Sequence, residues 1–187
     1  MPLELRHVTP DGLPDVRAAI LEIHAEVRHR DFGMTREFHS VERFDERLSA
    51  YASRPGWAAV LGYEEGRPVG FCFGMTLAAD TRWWSSMIPP VADDLVREDG
   101  RRTAALNEIV VRRPWRGRGV ARRIHDTWLE RRREERVTLL VDPAAGEGAV
   151  QAVYEGWGYA KVGEQQPFPD SPRFAALVRP VWEPSSM

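Results

Sequence analysis

The sequence predicts an α/β protein with a central mixed β-sheet of about six to seven strands flanked by about four helices. Three observations carry that expectation. Short β-leaning apolar runs alternate with amphipathic helical segments. Their order is strand, two helices, a run of strands, then strand-helix-strand-helix-strand, which requires strands of mixed direction. The length, 187 residues, allows one sizeable core, so a single domain over 1–187 is expected, with an irregular insertion at about 78–102.

Leu3 to Val8 reads as the first strand, and Thr9, Asp11 and Pro14 punctuate the entry to a helix. Leu13, Val16, Ile20, Ile23 and Val27 recur at helical spacing on one face of it. Val41, Phe44, Leu48 and Tyr51 mark a second helix, which Arg54-Pro55-Gly56 ends. Trp57 to Glu64 and Val69 to Leu77 are β-leaning runs joined by Glu65-Gly66-Arg67-Pro68, a hairpin signal. Residues 78–102 follow without periodicity, and a loop of that length in a compact domain is more often functional or mobile than idle. Leu106 to Val111 then reads as a strand, Val120 to Glu135 as a helix, Val137 to Val141 as a strand and Glu147 to Trp157 as a helix. Tyr159 to Gly163 and Arg173 to Val181 are the final strands.

Composition narrows the function. A net charge of -2 argues against a general nucleic-acid binder. The single cysteine, Cys72, excludes an internal disulfide and a cysteine-rich zinc site, and its apolar setting GFCFG reads as a buried structural thiol. His24, His29 and His39 form no metal-ligand pattern, so no metal is expected. No run of roughly 18 apolar residues exists to span a membrane, and the N-terminus lacks a signal-peptide core. The chain is therefore expected to be soluble and cytoplasmic.

Against this background the stretch RRPWRGRGVARR, Arg112 to Arg123, stands out, with six arginines around two glycines. It joins the strand NEIVV to a helix whose residues Val120, Ala121, Ile124 and Trp128 share one side. Backbone N–H groups at a helix start have no internal partner, and the helix dipole adds partial positive charge, so an anion is favoured there. Gly117 and Gly119 let a phosphate approach the backbone closely, which suggests a pyrophosphate. A Walker loop would need Gly-Lys-Ser/Thr, and the dinucleotide fingerprint a third glycine at Arg122; both fail.

The remaining pattern, Arg116-Gly117-Arg118-Gly119-Val120-Ala121, resembles the Arg/Gln-x-x-Gly-x-Gly/Ala signature of the GNAT superfamily of N-acetyltransferases. LNEIVVRRPWRG is similar to the strand that leads into that family's acetyl-CoA loop, and VYEGWGYAKVG to its Leu-Tyr-x-x-x-Gly-Phe helix end. Many members carry an asparagine seven residues before the tyrosine, where this chain has Glu147. The resemblance implies a GNAT-type fold and an acetyl-CoA-dependent transfer to an amine. It places the pyrophosphate on amides around Gly117, Gly119 and Ala121, within the loop Arg116 to Ala121 that includes Arg118 and Val120, and the pantetheine beside the backbone of Ile109, Val110 and Val111.

It also offers Glu108 as general base, directly or through water, and Tyr154 as general acid. The plainer alternatives are a Glu108 facing solvent or paired with an arginine, and a Tyr154 packed by its ring. Strand alternation puts Glu108 on the side of Leu106 and Val110, a partly covered face. Arg118, Arg122 and Arg123 are further candidates for the phosphates of CoA. Trp83 and Trp84, in the long loop, could cover an acceptor or recognise a cation; the same residues could simply anchor the loop. His125 reads as a packing or surface histidine, and Arg131 to Arg136 as a solvated helix face with intrahelical ion pairs. The expected partners are acetyl-CoA and a small-molecule or peptide amine, without nucleic acid or membrane, and a homodimer is admitted. A non-catalytic acyl-CoA sensor of the same fold is the alternative function.

Overall fold

The structure, a computed structural model, describes residues 2–167, 169 and 171–182. Its strands are β1 (Glu4–Val8), β2 (Ala58–Glu64), β3 (Arg67–Thr76), β4 (Met87–Ile88), β5 (Thr103–Val111), β6 (Arg136–Val141), β7 (Ala160–Gln165) and β8 (Phe174–Pro180). The helices are α1 (Leu13–Ala25), α2 (Val41–Ala52), α3 (Asp93–Val96), α4 (Val120–Leu129) and α5 (Ala149–Gly156). Hydrogen bonding joins the strands in the order β1-β2-β3-β5-β6-β8-β7-β4. The extra strand and helix relative to the sequence expectation, β4 and α3, both fall within 78–102. Two compact units divide the chain, 1–75 with 107–132, and 76–106 with 133–187, so β5 contributes to each.

In the first unit β1 pairs antiparallel with β2, Glu4 opposite Tyr63 through Val8 opposite Ala59. β2 and β3 form a hairpin with Glu64 opposite Arg67, so the turn is Glu65-Gly66 alone and Arg67-Pro68 already belongs to the strand. Both turn residues have positive φ, 53° and 75°, which matches the right-handed twist of the strands on either side. The apolar stripes of α1 and α2 pack on one face of these strands: Ile20, Ile23, Phe44 and Leu48 lie against Leu61, Phe71, Phe73 and Val110. The opposite face takes α4. A Cβ on Gly70 would stand 2.8 Å from the Val110 carbonyl oxygen and 3.2 Å from Ile124 Cδ1, so only glycine fits between β5 and α4 there. Cys72 is fully buried, and burial pushes its thiol pKa up, as a structural role requires.

The second unit holds the parallel pairing of β5 with β6, Thr103 opposite Arg136 through Leu106 opposite Leu139, and the antiparallel pairs β6–β8, β8–β7 and β7–β4. Here three expectations are corrected. β5 begins at Thr103, three residues earlier than its apolar pattern suggests, because Thr103 is buried through polar bonds. α4 ends at Leu129 rather than Glu135. The run Arg131 to Arg136 is therefore no solvated helix face: Arg132, Glu134 and Arg136 are buried. In the first unit, Arg132 donates to the carbonyls of Gly56 at 2.7 Å and Gly74 at 3.3 Å and lies 3.9 Å over the Trp128 ring. In the second, Glu134 accepts from Thr76 Oγ1 at 2.6 Å, and Arg136 sits in β6.

The long connection is tied down at one buried carboxylate. Glu98 Oε1 accepts from Trp84 Nε1 at 3.0 Å, Thr103 Oγ1 at 2.7 Å and Arg136 Nη2 at 3.0 Å. Arg136 also donates to the Leu95 carbonyl and to Thr103 Oγ1. Trp84 is buried, with Arg136 over its ring.

Candidate active site

The segment after β5 makes a single 3-10 turn, Arg113–Trp115, before the glycines. Gly117 and Gly119 adopt φ of 72° and 74°, left-handed values that carry a steric penalty for any residue with a Cβ. No atom lies within 4 Å of a Cβ built on either, so backbone conformation and not crowding selects glycine. Gly119 caps α4 without a side-chain acceptor, which leaves the first N–H groups of the helix uncapped. The glycine spacing thus coincides with a helix start that has no side-chain cap.

Most arginines of the stretch have protein partners. Arg112 is buried; its guanidinium pairs with Glu22 at 2.8 Å and with Glu26, and donates to the Pro68 carbonyl at 3.1 Å. Arg116 bonds Asp31 at 2.5 Å and the Val111 carbonyl at 2.8 Å. Arg118 meets Glu64 at 3.2 Å, Arg122 meets Asp126 at 2.6 Å, and Arg123 donates to the Leu3 carbonyl. Carboxylates from α1, the turn that continues it, β2 and α4 thus pair with four of the six arginines, Arg112, Arg116, Arg118 and Arg122.

Glu108, on β5, faces the α1/α2 side, as alternation with Val110 requires. It forms an ion pair with Arg28, and the side chains are 13% and 25% exposed. Of the alternatives for this glutamate, pairing with an arginine is realised, but with one outside the quoted stretch. Arg28 belongs to a six-residue π-helical turn, Glu26–Asp31, that continues α1. Burial by itself would raise the Glu108 carboxyl; Arg28 first, then His24 and Arg47, outweigh it and hold the pKa below the usual carboxylate range. His24 is nearly fully buried, stacked on Phe44 with ring centroids 3.7 Å apart, and its pKa is lowered to about 4, by burial above all. His24 Nε2 and His29 Nε2 both approach the His39 carbonyl oxygen, at 3.2 and 2.6 Å. The sequence reading does not associate Arg28 or His24 with Glu108, nor does it single out the adjacent Asn107, whose side-chain nitrogen and oxygen are both buried without a hydrogen-bond partner. A π-turn has no pattern signal, because one extra residue shifts every later side chain around the helix.

The first unit therefore brings together Glu108, Ile109, Val110, Val111 and the loop Arg116 to Ala121. Tyr154, Trp83 and Trp84 lie in the second. Tyr154, on α5, is 9% exposed, and its ring meets those of Trp157 and Tyr159 edge-on at 5.3 and 5.8 Å. Trp84 is the anchor already described. Trp83 lines a surface pocket of about 550 Å³ with Arg82, Ser85, Ser86, Gln166, Pro167 and Pro169. Glu147 has a left-handed backbone, φ 56° and ψ 35°, a conformation that asparagine tolerates better than glutamate. His125 is fully buried, with Nδ1 3.0 Å from Asp126 Oδ1. Among the described residues no cluster of three or more His, Cys, Asp or Glu side chains could hold a metal ion, and no helix is long and apolar enough to cross a membrane.

A model of the acetyltransferase (GNAT) family matches residues 21–159, and the chain belongs to that family, whose members use acetyl-CoA as acyl donor. Among solved structures, an acetyltransferase from Thermus thermophilus superposes with a TM-score of 0.62 at 19% identity, covering 96% of this chain and 97% of that one. YncA from Salmonella typhimurium, solved with acetyl-CoA, gives 0.63 at 15% identity over 100% and 98% of the two chains. Ard1 from Thermoplasma volcanium gives 0.62 at 16% identity over 98% and 100%. These likenesses establish the GNAT fold, which among the described residues comprises a mixed sheet of eight strands and five α-helices. A comparison with curated protein sequences finds no significant match.

Proposed function

We propose that residues 1–187 act as one N-acetyltransferase domain that transfers the acetyl group of acetyl-CoA to a primary amine, of a small molecule or a peptide, by direct attack. The observation that carries this reading is the uncapped start of α4 behind two left-handed glycines, reached directly from the strand that bears Glu108. Amides around Gly117, Gly119 and Ala121 suit a pyrophosphate, and the backbone of Ile109 to Val111 suits the pantetheine. Acetyl-CoA would supply the thioester. Glu108, kept ionised by Arg28, takes up the proton that the amine loses as its nitrogen bonds the acetyl carbon. The Tyr154 hydroxyl gives a proton to the sulfur as the carbon–sulfur bond breaks, since a thiolate leaves more readily when protonated. The chain is read as a cytoplasmic enzyme.

The test is calorimetric titration with CoA, beside thiol release from acetyl-CoA across a panel of amines. Glu108→Gln should lower kcat by about 100-fold, with the deficit shrinking at high pH where amines are already deprotonated. Tyr154→Phe keeps the packed ring and should lower kcat by about tenfold to a thousandfold with CoA affinity unchanged. Unchanged kcat in either variant removes that residue from the mechanism. CoA binding without transfer to any amine replaces the enzyme by an acyl-CoA sensor.

A further inference from the structure

The pocket lined by Trp83 has no part in the reaction proposed above. It lies wholly within the second unit, where the pairing of Met87 with Gln165 brings the turn before β4 beside the segment after β7. Its volume, about 550 Å³, is that of a small-molecule site. Its aromatic wall is held in place: Trp83 meets Trp84 edge-on, with ring centroids 6.4 Å apart, and Trp84 is buried and bonded to Glu98. Gln166 donates to the Ser171 carbonyl at 2.9 Å, which ties the other segment together, and Pro167 and Pro169 add apolar rings to the lining.

The charge in this lining has one sign. Arg82 contributes a guanidinium that has no ion pair or hydrogen bond to any described residue, and no Asp or Glu is among the described residues around it in the pocket. Arg112, Arg116, Arg132 and Arg136 are all met by carboxylates or carbonyls, so Arg82 differs from them. The Ser86 hydroxyl is likewise without a partner among the described residues, and Trp83 Nε1 is buried with none. An ammonium entering here would face uncompensated positive charge. A carboxylate instead forms the two-point, charge-assisted pair that guanidinium geometry favours, and a flat apolar body attached to it covers Trp83 and the proline rings. We infer that this pocket binds a small organic carboxylate carried on an aromatic ring, held by Arg82 at the anionic end and by Trp83 at the ring. The inference stands apart from the roles of Glu108 and Tyr154.

The test is a ligand-observed NMR titration of the whole chain, without CoA, using matched ring compounds: benzoate against benzamide and benzylamine, and indole-3-acetate against indole-3-acetamide and tryptamine. In at least one series the carboxylate should bind with a Kd of about 1 mM or tighter, at least about tenfold more tightly than its amide and its amine. Acetate, which lacks the ring, should bind more weakly than that carboxylate. Arg82→Gln should bring carboxylate and amide to within about threefold of each other, and Arg82→Lys should restore part of the gap, as a retained point charge would. Trp83→Ala should weaken the carboxylate by about tenfold, with circular dichroism showing that the fold is kept. Equal or tighter binding of the amides or amines overturns the inference, as does a carboxylate preference that survives Arg82→Gln, or a panel in which no carboxylate reaches about 1 mM. With acetyl-CoA present, 4-(aminomethyl)benzoate separates two sources of such a ligand. Acetylation with a KM that rises about tenfold in Arg82→Gln makes the carboxylate part of the acceptor, whereas binding without acetylation makes it a separate ligand of the same pocket.

Discussion

Two arginine-rich runs, Arg112 to Arg123 and Arg131 to Arg136, look alike in sequence and do opposite things. The first lies on a backbone that turns left-handed twice and opens a helix without a side-chain cap, while its guanidinium groups are largely matched to carboxylates. The second has no such backbone, and its side chains are drawn inward to carbonyls, a tryptophan face and a buried glutamate. Arginine density thus identifies neither an anion site nor a solvated face. Where α4 begins and ends decides both cases.

The largest expected effect tests the buried run. Arg136→Ala would leave Glu98, whose side chain is 1% exposed, without its ion-pair partner and would also release the Leu95 carbonyl. Breaking a buried pair from one side costs about 3–5 kcal/mol, which corresponds to a fall in Tm of roughly 10 °C for a chain of this size. Urea and thermal unfolding measure it, and a change below about 1 kcal/mol would return the run to a solvated role.

Next in size is the open loop. Gly119→Val puts a β-branched side chain at φ 74°, over the backbone that should meet a pyrophosphate. CoA affinity should fall by about 100-fold or more, roughly 2.7 kcal/mol, with the protein still folded by circular dichroism. Unchanged affinity would move the donor site elsewhere.

How far the sequence discloses this arrangement depends on what each feature needs. The strand-to-helix step at the loop is legible because glycine spacing and helical periodicity are local properties, and Gly117, Gly119 and Val120 lie where they predict. The Arg28–Glu108 pair joins residues 80 positions apart through a π-turn, and no local pattern encodes it. The same holds for Glu98, which reads as one acid among several in an aperiodic stretch and becomes the anchor of that stretch through β5 and β6. The extent of α4 is misjudged from sequence because Arg131 to Glu135 are good helix formers, and tertiary capture of Arg132 outweighs their propensity.

Surroundings also set the charge of His24, an effect of intermediate size. Its pKa is about 4 in the folded chain against 6.5 when free, chiefly from burial, with Glu108 opposing and Arg28 reinforcing the shift. Between those values the unfolded chain binds a proton that the native one refuses, so stability falls as pH falls through that window. From pH about 7.5 to 5 the expected loss from this residue is about 2 kcal/mol. His24→Gln should remove that part of the pH dependence, measured as the difference between the denaturation profiles of the two proteins. Parallel profiles would mean that the histidine is charged or solvated.

The smallest effect decides what holds the donor within the loop. Arg118 is the loop arginine for which a phosphate contact is easiest to imagine, yet its side chain is 54% exposed and engaged with Glu64. Glu64 is itself held by the Trp115 indole N–H at 2.6 Å, and that hydrogen bond, ahead of Arg118, accounts for its lowered pKa. An exposed guanidinium that must leave a carboxylate to meet a phosphate gains little, because it exchanges one screened ion pair for another. Arg118→Gln should therefore weaken CoA by no more than about fivefold at about 0.15 M salt, and Glu64→Gln, which frees the guanidinium, should tighten it by a similarly small factor. The Gly119→Val loss should hardly depend on salt, since it arises from backbone geometry. If Arg118→Gln instead weakens binding by more than about tenfold, and raising the salt concentration erases the difference, the side chains of RRPWRGRGVARR hold the donor and the left-handed backbone only presents them.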